Sequence, residues 1–160
     1  MVKNRKNLLI KFIFLVSIFA LVSAFFIEYI LGHQACNLCI LERIPYFLTI
    51  MIVLLNYKYI QFERFFILLL AIIFLAGTIL SLYHLGIEQG FIQESLVCDL
   101  KSGSNLLSKE EILNQLQEKS VSCKDVTFKI FGLSLTSYNI LISLIISIST
   151  GKIYFNYDKN

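Results

Sequence analysis

LLIKFIFLVSIFALVSAFFIEYIL, residues 8–31, runs directly into GHQACNLC, residues 32–39. The first stretch is long enough to cross a bilayer, which takes about 20 mostly apolar residues. The second is a short polar gap that ends on a pair of cysteines, Cys36 and Cys39. Two thiols at the rim of a membrane span suggest electron traffic between an aqueous protein and something dissolved in lipid. The basic start, Met1 to Asn7, and Val22-Ser23-Ala24 also resemble a cleavable secretory signal. The apolar stretch continues past that point to Leu31, which is span length, so we read it as a membrane helix.

Three further runs qualify: about 40–57, 65–85 and 131–150. The second opens with Glu42 and Arg43, and with Pro45, the only proline, near its start, where a missing N–H costs little. The third is broken only by Gly77, Thr78, Ser81 and His84. The fourth carries serines at 134, 137, 143, 147 and 149, small residues suited to close helix packing in lipid. Backbone in lipid must satisfy its own hydrogen bonds, so all four should be helices. The expected fold is an all-α integral membrane protein, a four-transmembrane-helix bundle forming a single membrane domain over residues 1–160. Composition agrees: 57% of the 160 residues are hydrophobic and 16% charged, against about 25% charged in soluble domains. A net charge of +3 gives no reason to expect a nucleic-acid partner.

Lysine and arginine placement sets direction. Lys3, Arg5 and Lys6 precede span one, Lys58 and Arg64 lie between spans two and three, and Lys152 and Lys159 follow span four. Four spans put these segments on one side. Opposite them lie loop 32–39, without Lys or Arg, and the long loop 86–130, with five lysines against seven acids. Both termini are therefore expected in the cytoplasm and both loops outside. In the long loop, Ser108-Lys-Glu-Glu111 reads as a capping box. Ile112, Leu113 and Leu116 then share one face, as in a short amphipathic helix on the membrane surface.

All four cysteines, Cys36, Cys39, Cys98 and Cys123, fall in the two outward segments, where disulfides can form and persist. A zinc ribbon would want two close pairs. Here the second pair is 25 residues apart, so no metal is expected. Two inert bridges would make the chain a non-catalytic membrane scaffold. A bridge across only two intervening residues constrains little chain, and the CxxC spacing commonly lowers one thiol's pKa, so redox exchange explains it better.

Cys36-Asn-Leu-Cys-Ile-Leu-Glu-Arg43 resembles the CxLCxxER signature of the disulfide bond formation protein B (DsbB) family. Tyr83-His-Leu-Gly-Ile-Glu-Gln-Gly90 and Gly132-Leu-Ser-Leu135 are similar to that family's stretches flanking its long loop. Ala35 stands where the family often has proline. Thr136 and Tyr138 replace the proline and tryptophan of its GLSxPxWN motif. The vitamin K epoxide reductase family also pairs a four-helix bundle with CxxC, but there the pair belongs to the last helix. A reductase of that type remains the alternative.

The resemblance implies a quinone-dependent, protein-disulfide-generating enzyme of the bacterial inner membrane, with periplasmic redox loops. It implies a DsbA-like thioredoxin-fold partner and a membrane quinone, ubiquinone or menaquinone, as acceptor. Cys98 would form the mixed disulfide with the partner, and Cys123 would pass electrons to the Cys36–Cys39 bridge. The thiolate so released, expected at Cys39, would reduce the quinone. Arg43, four residues after Cys39, would share its helix face and could hold thiolate charge and polarise a quinone oxygen; the plainer reading is a snorkelling anchor. The resemblance places His84 near the quinone. Glu42 reads as a surface acid or as the partner of Arg43. His33 is a candidate for tuning Cys36, and Glu28 faces the rim or the bundle, since a lipid-facing acid is costly.

Overall fold

A computed structural model describes residues 2–93, 98, 122–124, 129–130 and 132–156. The capping-box helix expected at Ser108 lies outside the described residues.

Among the described residues, four helices are long and apolar enough to cross a membrane. The first, α1, is Val2–Tyr29. The second crossing is built from a short helix α2, Asn37–Leu41, and a longer α3, Ile44–Lys58. A 3₁₀ turn, Ile60–Phe62, leads into α4, Glu63–Glu88. A two-residue antiparallel pairing of β1 (Lys129–Ile130) with β2 (Leu133–Ser134) precedes α5, Leu135–Phe155. Gly132 makes that tight reversal with φ +81°, a conformation open to glycine at little cost. The chain is a multi-pass, mostly helical membrane protein.

The second crossing is not one continuous helix. Arg43 N–H bonds to the Ile40 carbonyl, a 3₁₀-type contact that closes α2. Pro45 then sits in the first turn of α3, where its missing N–H leaves no bond unmade. The break swings Glu42 and Arg43 to the inner wall of the bundle.

Helix α4 packs most extensively on α5, while α1 rests on α3 and α3 on α4. Three helices meet at Gly77. A Cβ there would stand 3.2 Å from Pro45 Cγ and 3.9 Å from Ser143 Oγ, so glycine is what lets α3, α4 and α5 converge. Below it Phe74 is fully buried, edge-on to the Tyr46 ring at 5.7 Å and flanked by Ile13 and Ile146. Buried hydroxyls complete the contacts by bonding to backbone carbonyls. Thr49, Thr78 and Thr150 bond to carbonyls four residues back, and Ser147 crosses from α5 to the Ala71 carbonyl at 3.1 Å. Outward positions such as Phe47, Phe65, Ile79 and Ile145 are exposed, the surface lipid requires.

The ends of the bundle differ in chemistry. Lys6 pairs with Glu63 at 2.6 Å, joining the starts of α1 and α4. Arg64 lies over the ring of Tyr154 at 5.1 Å, bringing the end of α5 alongside. The three basic segments therefore gather at one end, and the four cysteines lie at the other.

Candidate active site

Cys36 is the N-cap of α2. Its extended backbone (φ −71°, ψ 166°) turns the sulfur back over the helix start, where it accepts the Cys39 N–H at 3.2 Å. One helical turn later Cys39 places its own Sγ 2.6 Å from that of Cys36. Three influences act on the Cys36 thiol. The hydrogen bond from Cys39 favours the thiolate most, burial opposes it, and His84 favours it again. The outcome is a pKa lowered to about 5, against an ordinary cysteine near 8.5. In the free pair, then, Cys36 carries the charge.

Cys98 and Cys123 form a disulfide with a Cα separation of 5.9 Å. Both are buried, and they pack in one cluster with Cys36, Leu38 and Ile87, against which Cys39 also rests. Asn37 donates to the Cys98 carbonyl at 3.3 Å, fastening this bridge to α2. The sequence-expected pairs thus come together in one place.

His84, on α4, is 1% exposed. Its Nε2 faces the Cys36 sulfur at 3.6 Å, and its Nδ1 lies 2.8 Å from Glu42 Oε1. The other Glu42 oxygen accepts from Asn139 at 3.0 Å. Glu42 is therefore neither a surface acid nor the partner of Arg43: the bend after α2 turns it inward, and α4 and α5 claim both its oxygens. Asn139 in turn donates to Ser81 at 2.8 Å and accepts from the Tyr46 hydroxyl. Thr136 donates to Glu88 Oε1 at 2.7 Å and also lies 3.3 Å from His84 Nδ1. Arg43 pairs with Glu28 of α1 and lies over the Phe25 ring at 5.2 Å.

These groups line one end of a cavity of about 420 Å³ between α1 and α5. Val16, Phe19, Ala20 and Ile142 supply apolar walls, and Cys36, Cys39, Arg43 and His84 stand at the polar end. His33 and Cys123 also reach its lining. An apolar slot with a few convergent polar groups suits a flat, lipid-soluble ring compound. The donor set fits as well: two sulfurs to exchange electrons, a histidine to exchange protons, and a cation for an oxygen.

Residues 6–151 match the family described as disulfide bond formation protein DsbB. The chain belongs to the DsbB family. A similar chain is an uncharacterized protein, RP370, of Rickettsia prowazekii (strain Madrid E). It is 34% identical over 163 residues, covering 99% of this chain and 92% of the relative. No solved structure matches at a significant level. DsbB membership implies a membrane oxidoreductase of disulfide bond formation, in a family that uses quinones.

Several members of the site were not singled out from sequence. The sequence assigns no role to Tyr46, Ser81, Glu88 or Asn139, and Thr136 stands out there only as a departure from the DsbB motif. An asparagine inside an apolar span was the available signal, since polar groups at membrane depth are costly unless they do something. Glu88, read as a loop acid, is the last residue of α4, with a side chain 6% exposed.

Proposed function

We propose that the protein is a thiol:quinone oxidoreductase of the bacterial inner membrane that reoxidises a periplasmic, DsbA-like dithiol oxidase. The observation that carries this reading is the packing of two cysteine couples in one cluster at the mouth of an apolar cavity. In this orientation both termini and the basic end of the bundle face the cytoplasm, and the cysteine end faces the periplasm.

The relay is a series of thiol–disulfide exchanges. The partner's thiolate attacks Cys98, and Cys123 leaves as a thiolate. The partner's second thiolate resolves that mixed disulfide, so the partner leaves oxidised and Cys98 and Cys123 are left as thiols. Cys123 next attacks the Cys36–Cys39 bridge at Cys36 and expels Cys39 as a thiolate. Cys98 then displaces Cys36 and closes the outer bridge. The inner pair now holds two electrons and gives them up on closing its own disulfide again. A membrane quinone, ubiquinone or menaquinone, supplies the two-electron, two-proton acceptor when bound. Arg43 and His84 would hold it at the polar end of the cavity, with Glu42 behind His84. His84 stands beside Cys36, where it can take a thiol proton, and Glu42 fixes its ring.

The test uses the purified protein in detergent with a reduced thioredoxin-fold oxidase and quinone. Loss of quinone absorbance matched by oxidation of the partner is the expected result. Serine at any one of Cys36, Cys39, Cys98 or Cys123 should abolish it. Full turnover by the Cys36→Ser variant would overturn the relay.

A further inference from the structure

We propose that the reduced Cys36/Cys39 pair, with His84 and Glu88, is a binding site for a borderline-soft divalent cation such as Zn²⁺, and that the oxidised pair is not. Sequence reasoning set metal aside because Cys98 and Cys123 are too far apart for a ribbon. The donor set assembled here is a different one, completed by two residues of α4.

The donor atoms of Cys36, Cys39 and His84 all lie within 4.8 Å of one another. Zinc binds thiolate sulfur at about 2.3 Å and imidazole nitrogen at about 2.0–2.1 Å, usually in a tetrahedron. Those lengths require a sulfur-to-nitrogen edge of about 3.6 Å, and Cys36 Sγ stands 3.6 Å from His84 Nε2. The sulfur-to-sulfur edge would be about 3.8 Å, so the 2.6 Å pair must open by roughly 1.2 Å, within reach of a side-chain rotation at Cys39.

Two further features are those of a metal site. Histidine ligands almost always donate their other ring N–H to a carboxylate or carbonyl. His84 has Glu42 at 2.8 Å on Nδ1, so Nε2 is the ring nitrogen turned toward the sulfurs. A fourth candidate ligand lies nearby, outside that 4.8 Å group, and would have to swing in. Glu88 Oε1 is 3.8 Å from His84 Nε2, and among the described residues its Oε2 is buried with no hydrogen-bond partner. Such an atom at depth is costly unless something occupies it at times.

Binding is acid–base, not redox. The cation displaces the protons still held by the two thiols and Nε2, and two thiolates neutralise its charge. Closing the Cys36–Cys39 disulfide consumes both ligand sulfurs, so metal and disulfide exclude one another. In the proposed cycle the cation would arrest the chain in its reduced state. The binding itself does not depend on that cycle.

The experiment therefore omits quinone and partner. A chain carrying Cys98→Ser and Cys123→Ser, reduced and freed of reductant in detergent, is titrated with Zn²⁺ against a chromophoric chelator. One ion per chain is expected, with at least about 100-fold weaker binding after the remaining pair is oxidised. His84→Ala should weaken binding by about 100-fold and Glu88→Gln by about 10-fold. Co²⁺ in the otherwise unaltered site should give the intense visible bands of a tetrahedral centre with thiolate charge transfer. Equal affinity in the oxidised chain, equal affinity in His84→Ala, or a weak octahedral cobalt spectrum would each overturn the proposal.

Discussion

His84 and Glu42 meet at 2.8 Å across the bundle, and this contact aims the other face of the imidazole at the Cys36 sulfur. The two residues lie on different crossings, 42 positions apart in the chain. Cutting the contact should disorient His84 without touching either cysteine. A hydrogen bond to a charged group contributes about 1.5–3 kcal/mol. The Glu42→Gln variant should therefore lose about 10- to 100-fold in quinone-dependent turnover. Glu42→Asp should recover part of that loss and keep the wild-type pH profile. Stopped-flow oxidation of the reduced protein checks both. A Glu42→Gln rate within twofold of wild type would remove the positioning role.

The Cys36 thiol, with its pKa lowered to about 5, should stay reactive where ordinary thiols are silent. The sign is that of an acid stabilised in its charged form: thiolate dominates above about pH 5 and is lost as pH falls through that value. Alkylation of the reduced chain by iodoacetamide, followed by peptide mapping from pH 4 to 9, should show Cys36 modified with an inflection near 5. Replacing Cys39 by alanine removes the largest stabilising contact and should shift the inflection upward. An inflection in the wild type between 8 and 9, where free cysteine ionises, would refute the assignment of charge to Cys36.

The sequence carried the fold because membrane spans are a composition signal. Twenty apolar residues have few other options, and the runs beginning at Leu8, Ile40, Phe65 and Phe131 needed no knowledge of contacts. The cysteine couples were legible for a similar reason, since a polar gap after a span can lie only at a bundle end. The buried polar network was not. Glu42, His84, Thr136 and Asn139 come from three crossings, and the Asn139–Glu42 bond joins residues 97 apart. Which face each helix turns inward depends on packing at Gly77 and on the bend before Pro45, and neither leaves a periodic trace. The hydrogen bonds of Thr136 to Glu88 and His84 were hidden for the same reason, although proline could make neither.

Arg43 lines the cavity but does not stand alone, because Glu28 of α1 holds it and Phe25 lies beneath it. Removing the cation should weaken acceptor binding more than chemistry. Arg43→Ala is expected to raise the apparent quinone KM by about tenfold with little change in kcat, the pattern of lost uniform binding. Glu28→Gln keeps the guanidinium and its aromatic contact, so its KM should stay within about twofold of wild type, as for a partly exposed ion pair. Steady-state kinetics over a range of quinone concentrations separate the two. An unchanged KM in Arg43→Ala would leave the side chain as an anchor at the bundle rim.

Gly77 sets how closely α3, α4 and α5 approach, and so the position of His84 two turns further along α4. An added methyl already falls 3.2 Å from Pro45 Cγ, tighter than most side-chain carbons tolerate. Proline cannot rotate away, and Ser143 blocks the other direction at 3.9 Å. A branched side chain must therefore push the helices apart, an overpacking cost of about 1–3 kcal/mol. Gly77→Val should lower the midpoint of thermal inactivation in detergent, and Gly77→Ala should do so less. If the displacement reaches the cysteine end, the tenfold-or-more loss of turnover in Gly77→Val should come with a raised alkylation inflection at Cys36, because His84 would have withdrawn from its sulfur. A valine variant that melted with the wild type would mean that the helices do not meet as closely as Pro45 and Gly77 indicate.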